Sequence, residues 1–367
     1  MTLNDTASHV NASMKILCLG AGAIGTYVGG SLALAGSHVV FLERGDKVNE
    51  LRERGLRLDL TLDERRKTKE ISLVRPASFV AVSSLDDALR YGPFDLVLFA
   101  LKSYDTPAAL ATLKPFADKL PPVLCLSNGL ANEALIADAF GKEKVIPGTV
   151  TTAVGRRGAG DIVLERLRGI GIAKGHPLVP NLLVAFENAL LNPRLYDDAA
   201  AMKWSKLLTN LIANPTSAIL NMSAAEVLSN RKLYKLEVEM LRECLAVMKA
   251  QNIGPVDLPG TPVRALAFAT RLPLWLSKPF LSRAAGAGRG NKMPSFHIDL
   301  HSGKGKSEVD YLHGEVVRAG KKFNVPTPVN KMLTETLLAL VNKELPLDVF
   351  AKKPEKLWSK VKSRTSP

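Results

Sequence analysis

Cysteine is scarce in this chain of 367 residues: there are three, Cys18, Cys125 and Cys244, far apart in sequence. So sparse a set excludes a disulfide-stapled scaffold and a cysteine-based zinc site, and it fits a reducing compartment, the cytoplasm. Aromatic residues are few, 6% of the chain, while 49 lysines and arginines against 35 acidic residues leave a net charge of +14. Scattered basic charge with little aromatic interleaving is a poor match to a nucleic-acid surface, so no nucleic-acid partner is expected. Anionic small-molecule ligands account for some of the basic bias. The first residues, MTLNDTASHVNAS, have neither a basic stretch nor an apolar core and do not read as a secretory leader.

One long uncharged run is present. Residues 16–42 carry no charged side chain over 27 positions, enough to span a bilayer by length. Six of those positions are glycine, Gly20, Gly22, Gly25, Gly29, Gly30 and Gly36, and they divide the run. The spacing predicts a strand over 15–19, a tight turn, a helix over about 23–35 and a strand over 38–42, buried on both faces as a parallel sheet requires. No membrane span is expected.

Gly20-Ala21-Gly22-Ala23-Ile24-Gly25 is a GxGxxG motif placed directly after a strand and opening a helix. The first glycine allows the turn, the second admits a pyrophosphate to the backbone, and the third lets helix and strand approach. Amides near Ala23 and Ile24 then face the phosphates from the positive end of the helix. The next strand ends in Glu43-Arg44, with Lys47 close behind. An acidic residue there favours NAD through the ribose diol and an arginine favours NADP through the 2′-phosphate; Arg44 with Lys47 inclines the reading to NADP.

The alternation of strands and helices continues with apolar strands at 94–101 and 122–127, ending at Lys102 and at Asn128. Further strands are predicted over 144–150 and within 162–173. Ligands of open α/β sheets bind at the carboxyl ends of strands, which makes Lys102 and Asn128 candidates for the site. From about 183 the pattern turns helical. In 201–220, Trp204, Leu207, Leu208, Leu211 and Ile212 fall in one apolar arc, and Lys206, Asn210 and Asn214 form a separate stripe four residues apart. Pro215 is expected to end or kink that helix. Asparagine is a poor helix-interior residue, so a lysine in register with two of them suggests a cleft, where a desolvated lysine can serve as a general acid.

Downstream, Ser295, Asp299 and Glu308 bracket a Gly/Lys loop, with Ser307 expected to cap the next helix and Asp310 at its third position. His297, Asp299 and His301 would share one face only on a strand, so no metal site is expected. Segment 262–290 reads as a packed helical excursion, with an interfacial helix or partner surface as the alternatives. The expected domains are 14–185, dinucleotide-binding, and 186–347, helical, with 1–13 and 348–367 as loose tails.

The ordered set GAGAIG, ALKSYDT, LSNGLANE, KWSKLLTNLIANP, PSFHIDL and KSEVDYLHG resembles the ketopantoate reductase (2-dehydropantoate 2-reductase) family over about 14–345. The resemblance implies an N-terminal α/β Rossmann domain with a doubly wound, mostly parallel sheet. An all-α C-terminal domain of the 6-phosphogluconate-dehydrogenase-like type would follow, with the site between them. It implies NADPH-dependent reduction of a small-molecule 2-oxo acid to the 2-hydroxy acid. Carried over by position, Lys206 is the catalytic lysine and Glu308 a catalytic and substrate-orienting carboxylate. Asn128, Asn210, Asn214 and Ser295 bind substrate, while Gly20, Gly22, Ala23, Ile24, Gly25, Arg44, Lys102 and Asn128 lie on the cofactor side. The loop between Asp299 and Glu308 is one residue longer than the family pattern, and 262–290 is longer too. Alternatives within the same frame are a reductase of another 2-oxo acid or ketone and a non-catalytic NADP(H)-binding protein. A helical second domain leaves room for a homodimer.

Overall fold

The computed structural model describes residues 13–279, 293–303 and 305–365, with side chains to 360. The N-terminal half runs β1 (Lys15–Leu19), α1 (Ala23–Leu34), β2 (His38–Leu42), α2 (Gly45–Arg54), β3 (Leu56–Asp59), β4 (Ser72–Val74), β5 (Val80–Val82), α3 (Leu85–Leu89) and β6 (Leu96–Phe99). It continues α4 (Thr106–Leu113), β7 (Val123–Cys125), α5 (Asn132–Phe140), β8 (Val145–Val150), β9 (Ala153–Gly158), β10 (Asp161–Arg166), β11 (Ile170–Ala173), α6 (Val179–Asn188) and β12 (Pro193–Tyr196). Eight strands form one sheet in the order β12-β11-β8-β7-β6-β1-β2-β5, parallel except where β8 meets β11. The apolar strands explain this layer. Ile16 and Cys18 of β1 join the core on one face with Tyr27, Val28 and Leu32 of α1, while Leu17 and Leu19 join the opposite core with Leu110 and Ile136. Strand order reverses between β1 and β6, and the loops after those strands flank the crevice this creates.

A second sheet, β4-β3-β10-β9, was not expected from the sequence. Its strands are short, and although the strand expected within 162–173 overlaps β10, its partner β3 lies across a long sequence gap with only the alternation of Leu56–Asp59 to mark it. The uncharged run 16–42 is strand, turn, helix and strand, and among the described residues no helix is long and apolar enough to cross a membrane.

From Ala199 onward the named elements are helices: α7 (Ala199–Leu211), α8 (Asn214–Leu220), α9 (Ala224–Ser229), α10 (Arg231–Ala250), α11 (Val263–Ala269) and α12, described over 274–279. α13 (Ser295–His301), α14 (Val309–Lys322), α15 (Pro328–Val341) and α16 (Pro354–Thr365) complete the chain. The change of pattern comes later than composition suggests. A boundary at 185/186 cuts α6, and β12 still pairs with β11, so the sheet ends at Tyr196.

Three further expectations are corrected here. Pro215 does not end α7: the helix stops at Leu211, Ala213 turns to φ 54, and Pro215 sits in the first turn of α8, where a missing N–H costs nothing. Ser307 is not the cap residue of α14. Glu308 holds that position, which puts Asp310 second in the helix, although the Ser307 hydroxyl does accept from the Val309 N–H. Residues 348–367 are not a loose tail over their described part, because α16 is folded with Leu357 fully buried, and Lys352 N–H reaches the Leu220 carbonyl at 2.7 Å. Within 262–290, α11 buries Val263, Leu266, Ala267 and Ala269 while Phe268 and Trp275 stay exposed. Residues 280–290 of that segment, and 1–12 of the N-terminal tail, lie outside the described residues.

Candidate active site

The turn after β1 has the geometry its glycines predict. Gly20 adopts φ 88, a Cβ on Gly25 would lie 2.1 Å from the Gly20 carbonyl oxygen, and Gly22 faces open space on its side-chain face. No side chain caps α1, so the positive end of its dipole faces that open space. This combination fits a pyrophosphate: room at Gly22, and a helix end with Ala23, Ile24 and Gly25 in its first turn.

At the end of β2, Glu43 turns toward the same turn. Its carboxylate accepts from the Ala21 N–H at 2.8 Å and from the Arg44 N–H at 3.0 Å, with the Lys47 ammonium at 3.4 Å. Glu43 thus ties the β2 end to the glycine turn. Arg44 is exposed at the N-terminal cap of α2.

Lys102 follows β6, which neighbours β1, and Asn128 follows β7, the next strand out, so both stand just past the carboxyl ends of adjacent parallel strands. The Lys102 ammonium bonds Glu308 at 2.6 Å and Asp299 at 3.2 Å, and the Ser103 N–H donates to the second Glu308 oxygen at 3.2 Å. Burial works against the charge on Lys102, but Glu308 and then Asp299 outweigh it, raising its pKa and holding it protonated. The Asn128 carbonyl accepts from Asn132 Nδ2 and the Ser103 hydroxyl, each at 2.6 Å, leaving its side-chain amide directed at the helical half.

α7 answers from the other side. Asn210 Nδ2 donates to Asn128 Oδ1 at 3.1 Å, so the polar stripe of α7 meets the end of β7. Lys206 is half-buried on that stripe, and at about 100° per residue it shares an arc of roughly 60° with Lys203 and Asn210. The apolar arc read from the sequence is also present: Trp204, Leu207, Leu208, Leu211 and Ile212 are all in the helical core.

Asn214 differs from its expected place. It begins α8 rather than continuing α7, is buried, and donates to the Asn210 carbonyl at 3.1 Å and to the Ser295 hydroxyl at 3.3 Å. Its side-chain oxygen accepts from the Phe296 N–H at 3.0 Å, so it anchors the start of α13 and with it Ser295. The helix also separates the histidine trio: His297 and His301 stack on each other at 4.2 Å, while Asp299 faces Lys102.

The structure therefore brings Lys102, Asn128, Asn210, Asn214, Ser295 and Glu308 into one chain of contacts across the cleft, with Lys206 on the facing helix. The glycine turn Gly20 to Gly25 adjoins this chain of contacts at Leu101, next to Lys102, and Arg44 stands at the start of α2. Sequence reasoning missed Lys203, which is buried on α7, and its partner Glu133; the signal available was Lys203 at three residues before Lys206, on the same arc.

Two family models match the chain. The one described as Ketopantoate reductase PanE/ApbA covers residues 16–175, and its C-terminal counterpart covers 198–341. A 2-dehydropantoate 2-reductase of Pyrococcus horikoshii is 28% identical over 329 residues, 87% of this chain and 95% of that protein. Another, of Streptococcus pyogenes serotype M6, is 24% identical over 334 residues, covering 89% and 97%. Among solved structures, a PanE/ApbA family ketopantoate reductase of Ralstonia eutropha JMP134 superposes with a TM-score of 0.74 at 28% identity, covering 90% of this chain and 99% of that one. A D-mandelate dehydrogenase in a ternary structure with NADH and anilino(oxo)acetate gives 0.72 at 22% identity, covering 92% and 100%, and shares the fold.

Proposed function

The chain belongs to the ketopantoate reductase family, and from that premise we propose that it reduces 2-dehydropantoate to pantoate with NADPH, using Lys206 as general acid. The observation that carries this reading is the Asn210–Asn128 hydrogen bond at 3.1 Å, which turns the Lys206 face of α7 toward the strand ends where a nicotinamide would lie. When bound, the cofactor supplies a hydride to the C2 carbonyl carbon.

The chain's own residues do the rest. The glycine turn and the first amides of α1 would hold the pyrophosphate, and Arg44, with Lys47 nearby, the 2′-phosphate. Lys102 and Asn128 border the nicotinamide side of the cleft. Lys206 donates a hydrogen bond to the substrate carbonyl oxygen and then a proton to it, an interaction that strengthens as charge develops there. Glu308 already accepts from Lys102 and Ser103, yet a carboxylate has about four acceptor sites, and it takes the substrate hydroxyl on one of those remaining. Ser295, Asn128 and Asn210 bind the substrate carboxylate, and Asn214 keeps Ser295 in place.

A cofactor and substrate panel tests the reading. Absorbance at the nicotinamide band should fall when the protein meets NADPH and 2-dehydropantoate, with kcat/KM higher for NADPH than for NADH and higher than for other 2-oxo acids. Faster turnover of another 2-oxo acid would move the substrate, and faster turnover with NADH would transfer the ribose role to Glu43. Cofactor binding without oxidation by any carbonyl compound would make the protein a dinucleotide-binding module.

A further inference from the structure

The chemistry described above leaves one buried cation of the cleft without a task. Lys203 lies on α7, one turn before Lys206, and is only 7% exposed. Its ammonium reaches across to the N-terminal half, donating to the Ser127 carbonyl at 2.8 Å and the Gly148 carbonyl at 3.3 Å, with the Glu133 carboxylate at 2.7 Å. Two of its donors thus meet backbone carbonyls, and the carboxylate balances its charge. Burial opposes the charge, but Glu133 more than offsets it, and the pKa of Lys203 is raised, so the group stays an ammonium.

The partners matter because of what they adjoin. Ser127 directly precedes Asn128, and its hydroxyl donates to the Leu101 carbonyl at 2.7 Å, next to Lys102. Gly148 lies in β8, and Glu133 is in the first turn of α5. One cation therefore fastens the helix of Lys206 to the ends of β7 and β8 and to the peptide segment that carries Asn128. The Asn210–Asn128 hydrogen bond fastens the same helix two turns further on, so Lys206 is held between two fixed points.

A buried ion pair is a poor device for stability alone, since an apolar pair of similar volume serves as well or better. Its directional bonds supply register instead. Resting on the reading that Lys206 is the general acid, we infer that Lys203 is a positioning residue: clamped by Ser127, Gly148 and Glu133, it sets the height of α7 over the strand ends and so the distance from Lys206 to the reacting carbonyl. A displacement of about 1 Å at a proton donor can cost roughly a hundredfold in rate.

The test uses the full chain with Lys203→Met, and with Lys203→Met combined with Glu133→Leu so that no unpaired charge is left buried. For the folded variants, kcat should fall about a hundredfold, while KM for 2-dehydropantoate and the NADPH Kd change by less than about threefold. The primary isotope effect with deuterated NADPH should rise as the chemical step becomes limiting. In a Lys206→Ala background the Lys203 change should add nothing, because both act through one group. Wild-type turnover in the folded double variant overturns the inference, as does an equal further loss in the Lys206→Ala background. Failure of the apolar pair to fold would make the contact a stability element and overturn it too. Full activity of Lys206→Ala alone would instead remove the general-acid reading on which this one stands.

Discussion

Glu243 on α10 and His313 on α14 meet through Asn330, and each bears on how the helical half responds to pH. The Glu243 carboxylate accepts from the Val329 N–H at 2.7 Å, the Asn330 N–H at 2.9 Å and Asn330 Nδ2 at 2.7 Å, while the Asn330 oxygen meets His313 Nδ1 at 3.0 Å. Burial pushes the Glu243 carboxyl up from 4.5 to about 7, against those hydrogen bonds, and holds His313 down at about 3. The folded state then binds more protons than the unfolded one between those two carboxyl values, so this group's contribution falls as pH rises from about 4.5 to about 7 and levels off above. The swing is on the order of 3 kcal/mol. His313, held low, contributes the opposite slope up to about 6.5, so Glu243→Gln should leave that rise unopposed and make the melting temperature climb more steeply with pH over that range; a slope identical to wild type would show that other groups set it. Lys206 and Asn210 were legible in sequence because four-residue spacing is a property of the helix itself. Lys203 was not, since its flanks, Met202 and Trp204, are apolar and its role depends on a carboxylate seventy positions earlier.

At the scale of elements, the glycine turn shows how local sequence dictates geometry. The β1 end and the start of α1 approach so closely at Gly25 that a methyl group there meets the Gly20 carbonyl oxygen at 2.1 Å. Gly25→Ala should therefore cost about 1–3 kcal/mol of stability through overpacking and weaken NADPH binding at least tenfold, because the turn and the helix end must move apart. Calorimetry and a cofactor-fluorescence titration check both; an alanine variant with unchanged Tm and Kd would show that the turn has slack. This element was readable because its constraints lie within six residues. The break between α7 and α8 was read one helix too far, since proline signals a boundary without saying on which side it falls. Here it opens α8, and Glu237 receives the Ala213 N–H at 2.7 Å and the Thr216 hydroxyl at 2.6 Å. The sheet β4-β3-β10-β9 and the folded α16 escaped because their stability comes from distant partners, Leu357 being buried in the core formed by helices far back along the chain.

Among the described residues, the polar ties between the two halves include three that border the cleft. Lys102 to Glu308 and Asp299 spans the cleft where it is more open, Lys102 being 39% exposed at its side chain, and Lys203 to Glu133 spans it where it is buried. Asn210 to Asn128 links the halves as well, on the face that also carries Lys206. The two-domain plan followed from the switch in hydrophobic period near 183, although the sheet keeps one more strand beyond it. What the sequence could not supply was that Lys203 meets the strand ends through an ion pair with Glu133. The most direct measurement is steady-state turnover of Lys206→Ala under saturating NADPH and 2-dehydropantoate. The account predicts kcat lower by about a thousandfold with the NADPH Kd unchanged; turnover within about threefold of wild type would contradict it.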